Sequence, residues 1–113
     1  MDCIFCKILS GEISTKFVYE DDIIAVFNDI NPQAPIHLLI IPKEHITSIA
    51  DITPSNIDVI SHIFKLIPKI AKEQGLTNGF RLITNSGKDS GQLVPHLHFH
   101  MLGKKLLNPY FDA

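Results

Sequence analysis

The stretch that most constrains this chain is Pro95-His96-Leu97-His98-Phe99-His100-Met101-Leu102. Three of the six histidines occupy every second position, with Leu97, Phe99 and Met101 between them. Successive side chains of an extended strand point to opposite faces, so the alternation predicts a strand with its apolar set on a core. The three imidazoles then stand in one row on the other face. A solvent-facing strand that merely uses His would explain the pattern, but ordinary exposed strand faces carry Thr, Lys or Glu. Two functional readings remain: a metal site, or nucleophilic and acid–base chemistry on an anion. A rise of about 3.3 Å per residue puts neighbouring members of the row about 6.6 Å apart and the outer two about 13 Å apart. Ligand nitrogens lie about 2 Å from a zinc ion. Two adjacent histidines can lean onto one ion, but all three of a regular strand cannot, so at least one imidazole is left for other work.

The chain around this stretch has 113 residues, 45% hydrophobic and 19% charged, with a net charge of −2. One domain spanning residues 1–113 is expected, large enough to bury a core unaided. No Lys/Arg run is present, which argues against duplex nucleic acid as a partner. Met1-Asp2-Cys3 opens no signal-peptide pattern, and no apolar run approaches the roughly 20 residues of a membrane span. A cytoplasmic protein is the expectation. Both cysteines fall in Cys3-Ile4-Phe5-Cys6. In a cytosolic chain that spacing is redox-active, metal-binding or incidental. Only two residues precede it, too few for the strand that leads into a thioredoxin-type site. For zinc it is half a site.

Along the chain, residues 3–10 predict a short helix packing Ile4, Phe5, Ile8 and Leu9, ended by Gly11. Strands are predicted over Phe17–Glu20, Ile23–Asn28, His37–Ile41, Phe80–Asn85 and the histidine stretch. The near-continuous apolar run 37–41 marks a central strand covered on both faces. Thr53-Pro54 predicts a helix start with a hydroxyl cap. Apolar residues recur with helical period at Ile57, Ile60, Ile63, Phe64, Ile67, Ile70 and Ala71. Pro68 should bend this helix, and Gly75 suits the left-handed position after its end. Val59 and Leu66 widen its apolar face, for a broader core contact or for a second copy. His62 reads as solvated or partly packed. Ser86 to Gln92 is a polar glycine loop without Walker A spacing: a plain connection, or backbone N–H groups and Lys88 beside a phosphate. The tail from Lys104 to Ala113 has no period. Mostly strands with one long helix imply α+β with an antiparallel sheet of about five strands.

His96-Leu97-His98-Phe99-His100-Met101-Leu102 matches at every position the H-φ-H-φ-H-φ-φ signature, with φ apolar, for which the histidine triad family is named. The run from Asp29 to His45, with its Pro32, Pro35, His37 and Ile41-Pro42-Lys43, resembles the nucleotide-binding branch of that family. Asn85, Gly91 and Gln92 stand where the branch has them. The resemblance extends over nearly the whole chain. It implies a small α+β fold that dimerises through the long helix and an edge strand into one continuous sheet. It implies binding of purine nucleotides and cleavage of NMP–X, phosphoramidates above all. The transferase branch has Gln in place of the third histidine, so His100 indicates hydrolysis.

Carried over position by position, the resemblance makes His98 the nucleophile, with His100 and His37 contacting phosphoryl oxygens and steering protons. Asn85 and Gln92 would donate to the phosphate. Asp29 would accept from the ribose hydroxyls, and Phe5, Ile8, Phe27 and Ile30 would line an apolar base pocket. Bacterial members with the same C-x-x-C hold a structural zinc, which here implies Cys3, Cys6, His45 and His96. Leu93 stands where the branch often has a Ser that assists the leaving group. Other readings are a dinucleoside polyphosphate hydrolase, a zinc-stabilised nucleotide-binding regulatory module, and a metallohydrolase using His96, His98 and His37.

Overall fold

A computed structural model describes residues 3–111. Met1, Asp2, Asp112 and Ala113, which belong to the expected domain and tail, lie outside the described residues. The elements in order are α1 (Ile4–Ser10), β1 (Tyr19–Glu20), β2 (Ile24–Asn28), β3 (Ile36–Pro42), α2 (Ile57–Glu73), β4 (Arg81–Ile83) and β5 (Phe99–Gly103). Short 3₁₀ turns at Ile49–Asp51 and Lys88–Ser90 lie in the connections. The five strands form one antiparallel sheet in the order β1-β2-β3-β5-β4. The fold is thus the expected α+β arrangement, with one long helix and a short N-terminal one.

β3 explains why its sequence shows no alternation. Leu38 and Ile40 face a core shared with Ile63, Ile67 and Ile70 of α2 and with Leu97, Phe99 and Met101. Leu39 and Ile41 face a second cluster, with Phe5 and Ile8 of α1 and Ala25 and Phe27 of β2. A strand buried on both faces is apolar throughout. The Leu97-Phe99-Met101 set therefore packs on the α2 side, and the histidines point to the α1 side.

Four elements differ from expectation: β1 (Tyr19–Glu20) and β4 (Arg81–Ile83) are shorter than the predicted 17–20 and 80–85, and β5 and α2 start later. β5 begins at Phe99, so His96 and His98 precede the ladder rather than belonging to it. The cause lies in the backbone donors: Leu97 N–H turns to the Ile46 carbonyl at 2.6 Å and His96 N–H to the Val94 carbonyl at 2.8 Å. α2 begins at Ile57, not at Thr53-Pro54, whose hydroxyl bonds to the N–H and the hydroxyl of Ser55. Asn56, at φ −122° and ψ 1°, separates that turn from the helix. α2 runs without interruption through Pro68, which lies on its exposed side. It ends in a Schellman arrangement: Leu76 N–H donates to the Ala71 carbonyl and Gly75 N–H to the Lys72 carbonyl, with Gly75 at φ +74°. Val59 and Leu66 pack against the core. Ile57 and Phe64 of the predicted stripe are instead about half exposed, as is Ile4 of α1. His62 is partly packed, as expected, and hydrogen-bonds Asp21 at 2.7 Å. No helix among the described residues is long and apolar enough to cross a membrane.

Candidate active site and metal centre

A cavity of about 350 Å³ opens between α1, the β2–β3 connection and the loop before β5. His98 and His100 form one wall. Phe5, Ile8, Phe27 and Leu39 form its apolar floor, and Asp29, Asn31 and Asn85 supply polar groups. Ile30 and Leu93 stand at the mouth, each more than nine-tenths exposed. No Lys or Arg is among the lining residues. A slightly larger depression, about 420 Å³, lies beyond the end of α2 around Gly75, Gly79 and Lys104, and no imidazole lines it.

A neutral imidazole carries one hydrogen, so the partner of one nitrogen fixes the role of the other. His98 Nδ1 lies 2.7 Å from the His96 carbonyl. A carbonyl can only accept, so Nδ1 carries the hydrogen and Nε2 of the neutral ring carries the lone pair. The edge of one ring meets the face of another where Phe5 packs on His98, at 5.1 Å between centroids and 85° between planes. His37 is set the other way. Its Nδ1 accepts from Gln33 N–H at 3.0 Å, so its hydrogen is on Nε2. That nitrogen lies 2.9 Å from His100 Nδ1 and 3.4 Å from Asp29 Oδ2. His100 Nδ1 thus accepts, and its own hydrogen is on Nε2. Burial pushes His37 below the ordinary histidine value, against the opposing charge of Asp29. Burial, with His98 and His37 beside it, pushes His100 down to about 4. Both rings are therefore neutral at pH 7, as this donor chain requires.

His96 faces away from this cavity, toward Cys3, Cys6 and His45. One ligand atom from each of the four residues lies within 4.8 Å of all the others. Cys3 Sγ is 3.3 Å from His96 Nδ1, and Cys6 Sγ is 3.2 Å from His45 Nδ1 and 3.6 Å from His96 Nδ1. Bonds of about 2.3 Å to sulfur and 2.0–2.1 Å to nitrogen in a tetrahedron put S and N about 3.5 Å apart. His96 Nε2–H donates to the Pro42 carbonyl at 2.9 Å, which leaves Nδ1 as a lone pair aimed at the thiols. Burial and the neighbouring Cys3 push the Cys6 thiol up, a cost that a bound cation would offset. Donor type, spacing and tautomer all fit a metal ion. Asp29, His37 and His100 also lie within 4.8 Å of one another. They fit a metal poorly, because Gln33 N–H keeps the hydrogen on the His37 nitrogen that would have to ligate. His96, His98 and His37 do not come together as a ligand set among the described residues.

The structure brings His98, His100, Asp29, Asn85, Phe5, Ile8, Phe27 and Ile30 to one cavity. Two expected residues stand apart. His37 lies behind His100 and Asp29 and reaches the cavity only through them. Gln92 does not line the cavity either. Its Nε2 donates to the Thr47 and Val94 carbonyls, at 2.8 and 2.9 Å, and its Oε1 accepts from Gly87 N–H at 2.8 Å. No donor is left for a phosphate. Gln33 was missed because it acts through its backbone, which has no sequence signature.

The family described as scavenger mRNA decapping enzyme C-terminal binding matches residues 2–111. Protein HitA of Neisseria gonorrhoeae is 48% identical over 102 residues, which cover 90% of this chain and 95% of that protein. A HIT family hydrolase from Clostridium thermocellum superimposes with a TM-score of 0.93 at 44% identity, covering 97% of this chain and 96% of that one. A histidine triad protein from Clostridium difficile gives 0.89 at 56% identity, covering 96% of each chain. The chain belongs to the histidine triad family.

Proposed function

We propose that this protein hydrolyses purine nucleoside 5′-phosphoramidates through a nucleotidyl-His98 intermediate. The observation that carries this reading is the His98 imidazole: it lines the cavity with Nδ1–H tied to a carbonyl and Nε2 left as a nucleophile. Nε2 attacks the α-phosphorus, the P–N bond to the amine breaks, and the nitrogen takes a proton from solvent and leaves as the free amine. Water then attacks the same phosphorus, the P–N bond to His98 breaks, and the nucleoside monophosphate leaves. His100 Nε2–H faces the charge that develops on the phosphoryl oxygens, and His37, held by Gln33, keeps His100 in that tautomer. Asn85 is a further donor to the phosphate. Asp29 accepts from the ribose, and the base lies among Phe5, Ile8, Phe27 and Ile30.

Cys3, Cys6, His45 and His96 hold a structural zinc that takes no part in the reaction. The chain is a homodimer: Ile57 and Phe64 expose apolar surface on α2, and the outer edge of β4 is unpaired in the sheet. Sedimentation at twice the 12.7 kDa chain mass would support this, and a monomer would refute it. A dinucleoside polyphosphate is the poorer match as substrate, because a polyanionic leaving group finds no Lys or Arg in the cavity lining.

Rapid mixing with adenosine 5′-phosphoramidate followed by intact-mass measurement tests the reaction. Wild type should show an adenylate adduct and turnover, and His98→Ala should lose roughly 10³-fold or more in kcat with no adduct. Tight nucleotide binding without turnover by wild type would replace the enzyme reading with that of a regulatory binding module.

A further inference from the structure

The β4–β5 ladder ends at the Ile83–His100 pair, so the His98 carbonyl lies beyond its last paired residues. The donor to that carbonyl is a side chain: Thr84 Oγ1, 2.8 Å away, in the residue that follows β4. On the other side of His98, Leu97 N–H is held by the Ile46 carbonyl at 2.6 Å. One of these bonds holds the peptide unit that follows the His98 Cα, and the other holds the unit that precedes Leu97, so together they fix the backbone on both sides of His98. Between them, the ring hydrogen-bonds, among the described residues, only to the His96 carbonyl. A rotation of the backbone at His98 would swing the ring, stretch the Nδ1 bond and turn Nε2 away from its target. Val has the shape of Thr and an equal or better strand propensity, so the backbone at residue 84 does not itself require a hydroxyl. The fold asks only that a half-buried carbonyl find a donor.

We propose that Thr84 is a positioning residue, whose hydroxyl holds the His98 carbonyl where the ladder no longer does and so sets the line along which His98 Nε2 meets the α-phosphorus. The role rests on the phosphoramidate hydrolase reading above. A misplacement of a reacting atom by about 1 Å can cost on the order of 10²-fold, so a partial loss of anchoring should cost less than that.

The test uses the full, metal-loaded chain as wild type, Thr84→Val and Thr84→Ser. Two quantities are measured: steady-state turnover of adenosine 5′-phosphoramidate, and ¹⁵N–¹H spectra of the imidazoles. Thr84→Val should lower kcat roughly tenfold, with KM within about twofold of wild type. Its His98 Nδ1–H resonance should weaken or shift. Thr84→Ser, which keeps the hydroxyl, should return both readouts toward wild type. Thr84→Val with wild-type kcat and an unchanged resonance overturns the proposal, as does Thr84→Ser as impaired as Thr84→Val. If wild type does not turn the substrate over, the hydrolase reading fails, and the spectra alone decide whether Thr84 holds His98. Should Thr84→Val not fold, Thr84→Ala carries the same expectations.

Discussion

At Gln92 every hydrogen-bonding group of the carboxamide is spent inside the protein. Both Nε2 hydrogens go to carbonyls, of Thr47 and Val94, and Oε1 takes the Gly87 N–H. The side chain thereby ties the glycine loop to the segment that follows His45 and to the approach to His96. Gln92→Ala leaves two carbonyls and one N–H to find new partners, at a cost of about 1–2 kcal/mol. Calorimetry should show a fall in Tm of roughly 4–8 °C or somewhat more. The nucleotide KM should change less than about threefold. A large kinetic loss with unchanged Tm would instead return Gln92 to the phosphate. Gln92 became a candidate through the family resemblance, because it stands where the nucleotide-binding branch has it. The sequence could not reveal that Thr47, 45 positions away, presents a carbonyl to the same amide. Asp29 and Phe5 came from the same resemblance, and they do reach the cavity, Phe5 on α1 and Asp29 directly after β2, because each would act through its own side chain.

α1 has seven residues, too few to be stable alone in water. Its N-cap is Cys3, whose sulfur accepts from Cys6 N–H at 3.3 Å, and Gly11 at φ +84° closes its end. Phe5 and Ile8 attach it to the sheet by burial, and Cys3 and Cys6 attach it to His45 and His96. The same helix therefore carries half of the metal set and part of the cavity floor. With the four-residue set loaded with zinc as proposed, chelation should loosen α1 first. In deuterium exchange, amides of residues 4–10 should speed up by at least about tenfold, while those of α2 hold their protection. Binding of adenosine monophosphate should weaken and should recover on adding zinc. Unchanged exchange in α1 would mean that packing alone holds it. The sequence showed these elements unevenly. β3 and α2 were legible because a doubly covered strand is apolar throughout and a helix on a core imposes its own period. The alternation at His96–Met101 likewise gave the right faces. It could not give the ladder, because alternation reports an extended backbone and not where its N–H groups go. Here two of them leave the sheet, for Val94 and Ile46.

Across the whole molecule the sheet divides a core on the α2 side from a smaller one on the α1 side. The buried imidazoles sit with the smaller one. That asymmetry determines how the fold responds to acid. His100 is held neutral by burial, with His98 and His37 beside it, and its value falls from 6.5 to about 4; burial pushes His37 the same way. Such a group binds a proton less readily folded than unfolded. Above pH 6.5 both states are neutral and nothing is lost. Between 6.5 and about 4 the unfolded chain takes up a proton that folded His100 refuses, so stability falls as pH falls. The loss from His100 should reach on the order of 2–3 kcal/mol near pH 4 and go no further below it. Asp21 acts at a lower range. Burial alone would raise its value, but hydrogen bonds from His62, Ile24, Ile23 and Tyr19 hold it well below the ordinary 3.8. Its contribution is therefore present above pH 3.8 and is lost as pH falls below that. Urea denaturation at pH 7, 5.5 and 4.5 should show midpoints that decrease across the first window, before any carboxylate of Asp21 is protonated. His100→Asn has no proton to refuse, so its midpoints should fall less steeply between pH 7 and 4.5. Equal pH dependence in wild type and His100→Asn would show that the acid sensitivity belongs to other groups.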